Sequence, residues 1–303
     1  HYLKKEYKEA LNILKNCSLP EFQKDVDIFT ARCYFHLKEY TELIKFSENM
    51  SDDIDILYIR GQAFHHSGEN EKAVESFIKI SQTFPKNVWI NYWLGICYQA
   101  QEKYEDAIDK YNIAISSKRS FLQPYIKIVE CAIKEKNLDK AKEYLAEITK
   151  NHPELPEANY LNAEIEITFG DLKSACDSLK IYLKHKPDDI NTWKKLGELL
   201  IKQKRYEDAL ECYDKAIELS ADLEKSELIF NKAVILSNLN KHTESVDLIK
   251  NVGDKFDEKV EVIYQQGIIY LNLNNDDEAL KYFDEALKID EKYFNARVGS
   301  IKV

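Results

Sequence analysis

The sequence predicts an all-α solenoid of stacked helix-turn-helix units. Gly61, Gly95, Val129, Ala163 and Gly197 follow one another at intervals of 34 residues, as do Ala233 and Gly267, and the same residue pattern recurs around each. A fixed period of this size is the mark of a repeat array, in which each unit packs only on its neighbours. The composition agrees: the 303 residues are 44% hydrophobic and 32% charged, with only 8 Gly and 6 Pro, leaving little material for long loops or strand-rich turns. Within each period the apolar residues return at spacings of three and four, which is one face of a helix.

Aligned on the small-residue column, the chain reads Ala31, Gly61, Gly95, Val129, Ala163, Gly197, Ala233 and Gly267. Twelve residues on stand Leu43, Ala73, Ala107, Ala141, Ala175, Ala209, Ser245 and Ala279, and sixteen on, large residues return at Phe77, Tyr111, Leu145, Leu179, Tyr213, Ile249 and Phe283. Two antiparallel helices approach closely where small side chains face each other, here Gly or Ala against Ala, and bulky side chains fill the gaps beside the contact.

Each element then follows in order. Residues 1–20 give a partial unit with a second helix only, carrying Tyr7 and Ala10. Eight units follow at 24–53, 54–87, 88–121, 122–155, 156–189, 190–225, 226–259 and 260–293, and 294–303 begins a further one. Inside each, a short polar break such as Glu102-Lys103, Lys136-Asn137 or Gln203-Lys204-Arg205 turns the hairpin. Pro85, Pro153 and Pro187 stop second helices, and the Asp or Asn beyond caps the next helix, as in Pro187-Asp188-Asp189. The segment around Asn159–Glu166 is polar at apolar positions and leaves its register open. Neither end reads as a polar cap, so the chain is expected to be a fragment or to have its ends covered, with self-association through those ends as one outcome.

These residues resemble the tetratricopeptide repeat (TPR) family. The unit at Ile190–Asp222 carries Trp193, Leu196, Gly197, Ala209, Tyr213 and Ala216 where the family signature places Trp, Leu, Gly, Ala, an aromatic and Ala; Val260–Tyr293 follows with Gly267, Tyr270, Ala279, Phe283 and Ala286. Val129 in place of Gly and Glu166 in place of the aromatic depart from it. The resemblance implies a right-handed superhelix of about eight TPR units with partial units at both ends. It also implies a concave wall of first helices that binds partner segments.

On that wall the expected groove residues are Ile28, Phe29 and Arg32, then Tyr58 and Gln62, then Trp89, Tyr92, Trp93 and finally Ile126. Trp89 and Trp93, four apart on one helix, are expected to be exposed rings suited to a partner's apolar anchor. Some family members hold a chaperone's terminal carboxylate with Lys, Asn and Arg. Here Lys194 and Asn231 match, but Glu198, Glu261 and Gln265 stand in the other places, so this activity is disfavoured.

A formal net charge of −10 repels phosphate backbones and anionic lipid heads, and favours neutral or basic protein segments as partners. No nucleic acid is expected; the acidic balance and the Gly/Ala and aromatic columns argue against an RNA-reading helical repeat. No stretch reaches the roughly 20 apolar residues of a bilayer span, and a cytoplasmic location is expected. The six cysteines form no Cys-x-x-Cys pair, and Cys33, Cys97 and Cys131 each fall two residues after the small column, so they read as packing residues. His36, His65 and His66 could form a ridge on neighbouring first helices, but they lack carboxylate or thiol partners at ligand spacing. No phosphate loop, nucleophile elbow or His-Glu metal motif is present. No metal or cofactor is expected, and the leading reading is a non-catalytic protein-binding scaffold; the alternative is the regulatory or substrate-recruiting region of a larger enzyme.

Overall fold

A computed structural model describes residues 6–17, 20–48, 50, 52–252 and 260–302. Parts of the expected units 1–20, 24–53, 226–259 and 294–303 fall outside the described residues, as does the Glu261 side chain. The described residues hold eighteen α-helices, a short 3-10 turn at Pro20–Phe22 and no strand. The architecture is an all-α repeat solenoid.

After α1 (Tyr7–Lys15), the helices come in pairs: α2 (Gln23–His36) with α3 (Tyr40–Glu48), α4 (Ile54–His66) with α5 (Asn70–Thr83), α6 (Val88–Ala100) with α7 (Tyr104–Ser117), and α8 (Leu122–Lys134) with α9 (Leu138–Asn151). Then come α10 (Pro156–Thr168) with α11 (Leu172–His185), α12 (Ile190–Lys202) with α13 (Tyr206–Leu219), α14 (Asp222–Asn238) with α15 (His242–Val252), and α16 (Val260–Asn272) with α17 (Asp276–Ile289), followed by α18 (Phe294–Lys302). Around Asn159–Glu166, where the sequence leaves the register open, α10 is 13 residues long, as are α4, α6, α8, α12 and α16. The chain divides into two compact units, residues 1–161 and 162–303, where the sequence reads a single array.

The hairpin turns are more regular than their sequences. The residue seven places after the small column has positive φ in all eight pairs: Lys38, Gly68, Glu102, Lys136, Gly170, Lys204, Asn240 and Asn274. Each sits at the end of a Schellman motif, in which two amide N–H groups reach back to the last turn of the helix. In the turn at Lys136, for example, Asn137 N donates to Ala132 O at 2.8 Å and Lys136 N to Ile133 O at 3.0 Å. The same two bonds recur at every turn in the series. They satisfy carbonyls the helix would leave orphaned. Asp53, Asn87, Asn137, Asp171, Asp189 and Asn275 cap the helices that follow them, their side chains accepting backbone N–H bonds.

The packing corrects one detail of the expected contact. The glycines of the small column face the aromatic ring sixteen residues on, rather than an alanine. A Cβ on Gly61 would lie 2.8 Å from Phe77, on Gly197 2.7 Å from Tyr213 and on Gly267 2.5 Å from Phe283, and Gly95 meets Tyr111 in the same way. The chain therefore keeps a volume rule. Glycine pairs with Phe77, Tyr111, Tyr213 or Phe283, whereas Ala31, Val129, Ala163 and Ala233 pair with Ser47, Leu145, Leu179 and Ile249. A ring lies flat against the helix only where no side chain intervenes. The alanines twelve residues on are fully buried behind it.

In residues 162–303 the departure at Glu166 has a local solution. Asn162 Nδ2 donates to Glu166 Oε1 at 2.9 Å and to Ser178 Oγ at 3.0 Å, and Ser178 Oγ donates to Glu166 Oε2 at 2.8 Å. A closed polar triangle thus accommodates Glu166 in a column that otherwise holds Tyr34, Phe64, Tyr98, Ala132, Leu200, Leu236 and Tyr270, and each member satisfies the others.

Candidate aromatic docking site

Residues 1–161 carry all the expected groove residues, on α2, α4, α6 and α8, and the structure sorts them. Ile28 is only 8% exposed and belongs to the core. α2 packs on α4 as well as on α3, and Ile28 is a core residue rather than a groove residue. Phe29 is exposed, with the Arg32 guanidinium 5.9 Å from its ring centroid. Arg32 also reaches across to α4, 3.3 Å from Asp55 Oδ1. Gln62 and Ile126 are half-buried.

The two tryptophans part company. Trp93, expected as an exposed ring, is half-buried: its Nε1 donates to Tyr58 Oη at 3.0 Å, and its ring stacks on Phe77 with centroids 6.1 Å apart and planes at 17°. His65 and His66 close its edge at 5.8 and 6.2 Å. Trp93 and Tyr58 thus belong to the packing that supports the surface. Burial pushes the Tyr58 phenol above its usual range, opposed by the bond from Trp93. Trp89, one turn earlier, is 52% exposed and rests against Phe121 at 4.7 Å and Tyr92 at 6.4 Å. Tyr92 is half-buried between Trp89, Phe121 and Tyr111; burial first, and Glu130 second, raise its phenol.

Beside Trp89 opens a cleft of about 440 Å³ lined by Ile54, Asp55, Tyr58, Ile80, Phe84, Asn87, Trp89 and Ile90. Its walls are the first turns of α4 and α6 and the last turn of α5 with the residue after it. Ile54 at 44% and Phe84 at 45% join Trp89 among the exposed large apolar side chains. Asn87 is occupied as the cap of α6, its Oδ1 accepting from Trp89 N at 3.0 Å and Ile90 N at 3.1 Å. Of the lining residues only Asp55 carries a charge.

Sequence reasoning reached Tyr58 and Trp89 and missed Phe84, Ile54 and Asp55. The signal was present in the columns. Six residues before the small column, Trp89 stands in a row that otherwise reads Asp25, Asp55, Gln123, Glu157, Asn191, Glu227 and Glu261. Twenty-three after it, Phe84 is followed down its row by Lys118, His152, Lys186, Ser220, Phe256 and Asp290, and among these it shares its apolar character with Phe256 alone.

The histidines do not form a metal ridge. His36 stacks on Tyr7 at 4.5 Å, His66 stacks on Tyr40 at 4.9 Å, and both approach Phe35. Among the described residues no group of three His, Cys, Asp or Glu side chains gathers as a metal ion would require. Cys33, Cys97, Cys131, Cys176 and Cys212 are buried free thiols, and burial pushes Cys97, Cys131 and Cys212 up to about 12. Of the chaperone-tail positions, Lys194 is engaged by Glu227 at 2.6 Å. Among the described residues no helix is long and apolar enough to cross a membrane.

Residues 143–293 match the TPR domain of cytochrome c-type biogenesis protein H, and residues 91–117 and 125–154 match the tetratricopeptide repeat itself. No curated protein matches the chain. Among solved structures, the chain is similar to the Pseudomonas aeruginosa pilF protein (13% identity, TM-score 0.55, 71% of this chain and 97% of that one). It is also similar to a tetratricopeptide repeat protein of Parabacteroides merdae (12% identity, TM-score 0.52, 98% of each chain). A third likeness is to the APC/C hetero-tetramer Cut9–Hcn1 (15% identity, TM-score 0.54), where 99% of this chain spans 59% of that one. At these identities the likeness shows the fold alone.

Proposed function

Given that the chain belongs to the tetratricopeptide repeat family, we propose that it is a non-catalytic scaffold that docks segments of other proteins on the aromatic surface of residues 1–161. The observation that carries this reading is the patch formed by Trp89, Phe84 and Ile54. Three large apolar side chains, each about half exposed, line one cleft, although the repeat pattern calls for polar residues at two of those places. An exposed cluster of this kind marks a binding surface. Burying the free half of one such side chain contributes on the order of 1 kcal/mol, so the three together supply useful affinity without any covalent chemistry. The net charge of −10 favours a neutral or basic partner.

The test is a photo-crosslinking residue placed at Phe84, with Phe169 in residues 162–303 as a control site. A partner crosslinked at position 84, and lost in Trp89→Ala with helical circular dichroism unchanged, supports the reading. Retention of the same partner by Trp89→Ala and Phe84→Ala refutes it. Trp93 and Tyr58 are poor probes, because they bond to each other and their loss disturbs packing.

The match of residues 143–293 to a cytochrome c-type biogenesis TPR domain supports a second reading, a role in assembling c-type cytochromes. Haem-stained c-type cytochromes that persist at normal levels after deletion of the gene would dismiss it.

A further inference from the structure

We infer that the cleft between α4, α5 and α6 takes a segment of a partner protein in which bulky apolar side chains stand beside a lysine or arginine, with Asp55 as the group that reads the charge. The inference rests on the docking reading above and adds the chemistry of the occupant. The volume, about 440 Å³, falls within the range of ligand clefts, roughly 300–1,000 Å³, with room for more than one large side chain.

The lining is apolar and aromatic except at three places. The Tyr58 hydroxyl accepts from Trp93 and the Asn87 carbonyl oxygen accepts from the first turn of α6, and neither side chain carries a charge. Asp55 remains, its side chain 53% exposed, held from one side by the Arg32 guanidinium at 3.3 Å. One such ion pair uses only part of a carboxylate's acceptor capacity. The aromatic faces of Trp89, Phe84 and Tyr58 favour the same sign of charge, because a cation is attracted to the negative face of a ring. An acidic side chain in the same place would meet both the Asp55 carboxylate and the ring faces with unfavourable electrostatics. The cleft therefore discriminates by charge as well as by bulk.

The neighbourhood otherwise arranges its charges into pairs. Lys24 lies 2.7 Å from Asp53, and Asp52 is shared by Arg60 at 3.1 Å and Lys79 at 2.7 Å. These groups lie outside the lining, in which Asp55 is the one charged side chain.

The experiment uses the full chain and two end-blocked hexapeptides, Ala-Leu-Phe-Arg-Ala-Ala and the same peptide with Glu for Arg. Binding is followed by the indole N–H resonance of Trp89, assigned with Trp89→Phe. The arginine peptide should shift this resonance at lower concentration than the glutamate peptide. Asp55→Asn should weaken the arginine peptide about two- to fivefold, the scale of one exposed charge pair, and Asp55→Lys should invert the order of the two peptides. An unchanged order in Asp55→Lys, or no shift of Trp89 with either peptide, overturns the inference. If the peptides fail while the crosslink at position 84 still forms and is lost in Trp89→Ala, docking survives and only the charge-reading occupant falls. If both fail, both readings fall.

Discussion

Gly61→Ala puts a methyl group where the structure has none to spare. The added Cβ would lie 2.8, 2.9 and 3.1 Å from Cζ, Cε1 and Cε2 of Phe77, whereas carbons pack comfortably at about 3.5–4.0 Å. The ring cannot simply retreat. Phe77 is fully buried, Trp93 stacks on it and Tyr58 meets it edge-on at 6.1 Å. Overpacking of this kind costs about 1–3 kcal/mol. Alanine in place of a helical glycine returns about 1 kcal/mol, so the single variant should lose from about zero to 2 kcal/mol.

The sharper measurement is the double-mutant cycle with Phe77→Leu. Leucine removes the ring face, as Leu145 and Leu179 do opposite Val129 and Ala163, so in that background Gly61→Ala should stabilise by up to about 1 kcal/mol. The change of sign gives a coupling of about 1–3 kcal/mol. Amide hydrogen exchange of α4 and α5 is the suitable assay, because repeat arrays can open in segments and a single melting temperature would average over them. Effects that add to within about 0.5 kcal/mol would show that the ring is not what demands glycine at this column, and the volume rule would fail.

Other consequences follow from the turns, the thiols and the histidines. Lys136→Gly should stabilise by about 0.5–1 kcal/mol, since a left-handed residue with a Cβ costs about 1–2 kcal/mol and glycine recovers part of it. Gly68→Ala should destabilise by about 1 kcal/mol, for backbone reasons alone, as no atom lies within 4 Å of the added methyl; urea titration of each variant checks both signs. A thiol reagent should label Cys17 rapidly in the native chain and reach the five buried cysteines only after unfolding, since burial holds their thiolates scarce. His66 has its pKa lowered from 6.5, first by burial, then by His65 and Lys38. Its folded state resists protonation, so the cost is absent above pH 6.5 and grows as pH falls toward the lower folded value. Stability should therefore drop in mild acid, and His66→Gln should flatten that part of the pH profile, measured as the change in the opening free energy of α4 by amide hydrogen exchange between neutral and mildly acidic buffer.

The helices and their order were legible because steric matching leaves a sequence trace: wherever Phe77, Tyr111, Tyr213 or Phe283 lies against a helix, glycine must stand sixteen residues earlier. The turns were less legible. Their left-handed residue is a glycine only at Gly68 and Gly170, and elsewhere Lys, Glu or Asn accepts the strain because the Schellman bonds hold it. Phe84 escaped because it follows a second helix, while the family's usual binding wall is built from first helices. Ile28 was misplaced because position in a column says nothing about how closely neighbouring helices approach; Phe230, in the same column, is buried as well.

The same contrast separates fold from function. A residue that obeys its column, such as Ala107 or Tyr213, is explained once its neighbours are known, because every stacked unit needs it. Trp89 and Phe84 obey no column: the equivalent places elsewhere hold mostly polar or charged residues, Asp, Glu, Lys or His among them, and the array packs perfectly well with those. Half-exposed apolar side chains at polar positions carry a cost in solubility, and two of them, flanking the turn between α5 and α6, converge with Ile54 on a single cleft. Packing does not require that convergence, whereas a binding partner would. In an array whose core is dictated by repetition, the information about what it binds lies in the places where the repetition is broken.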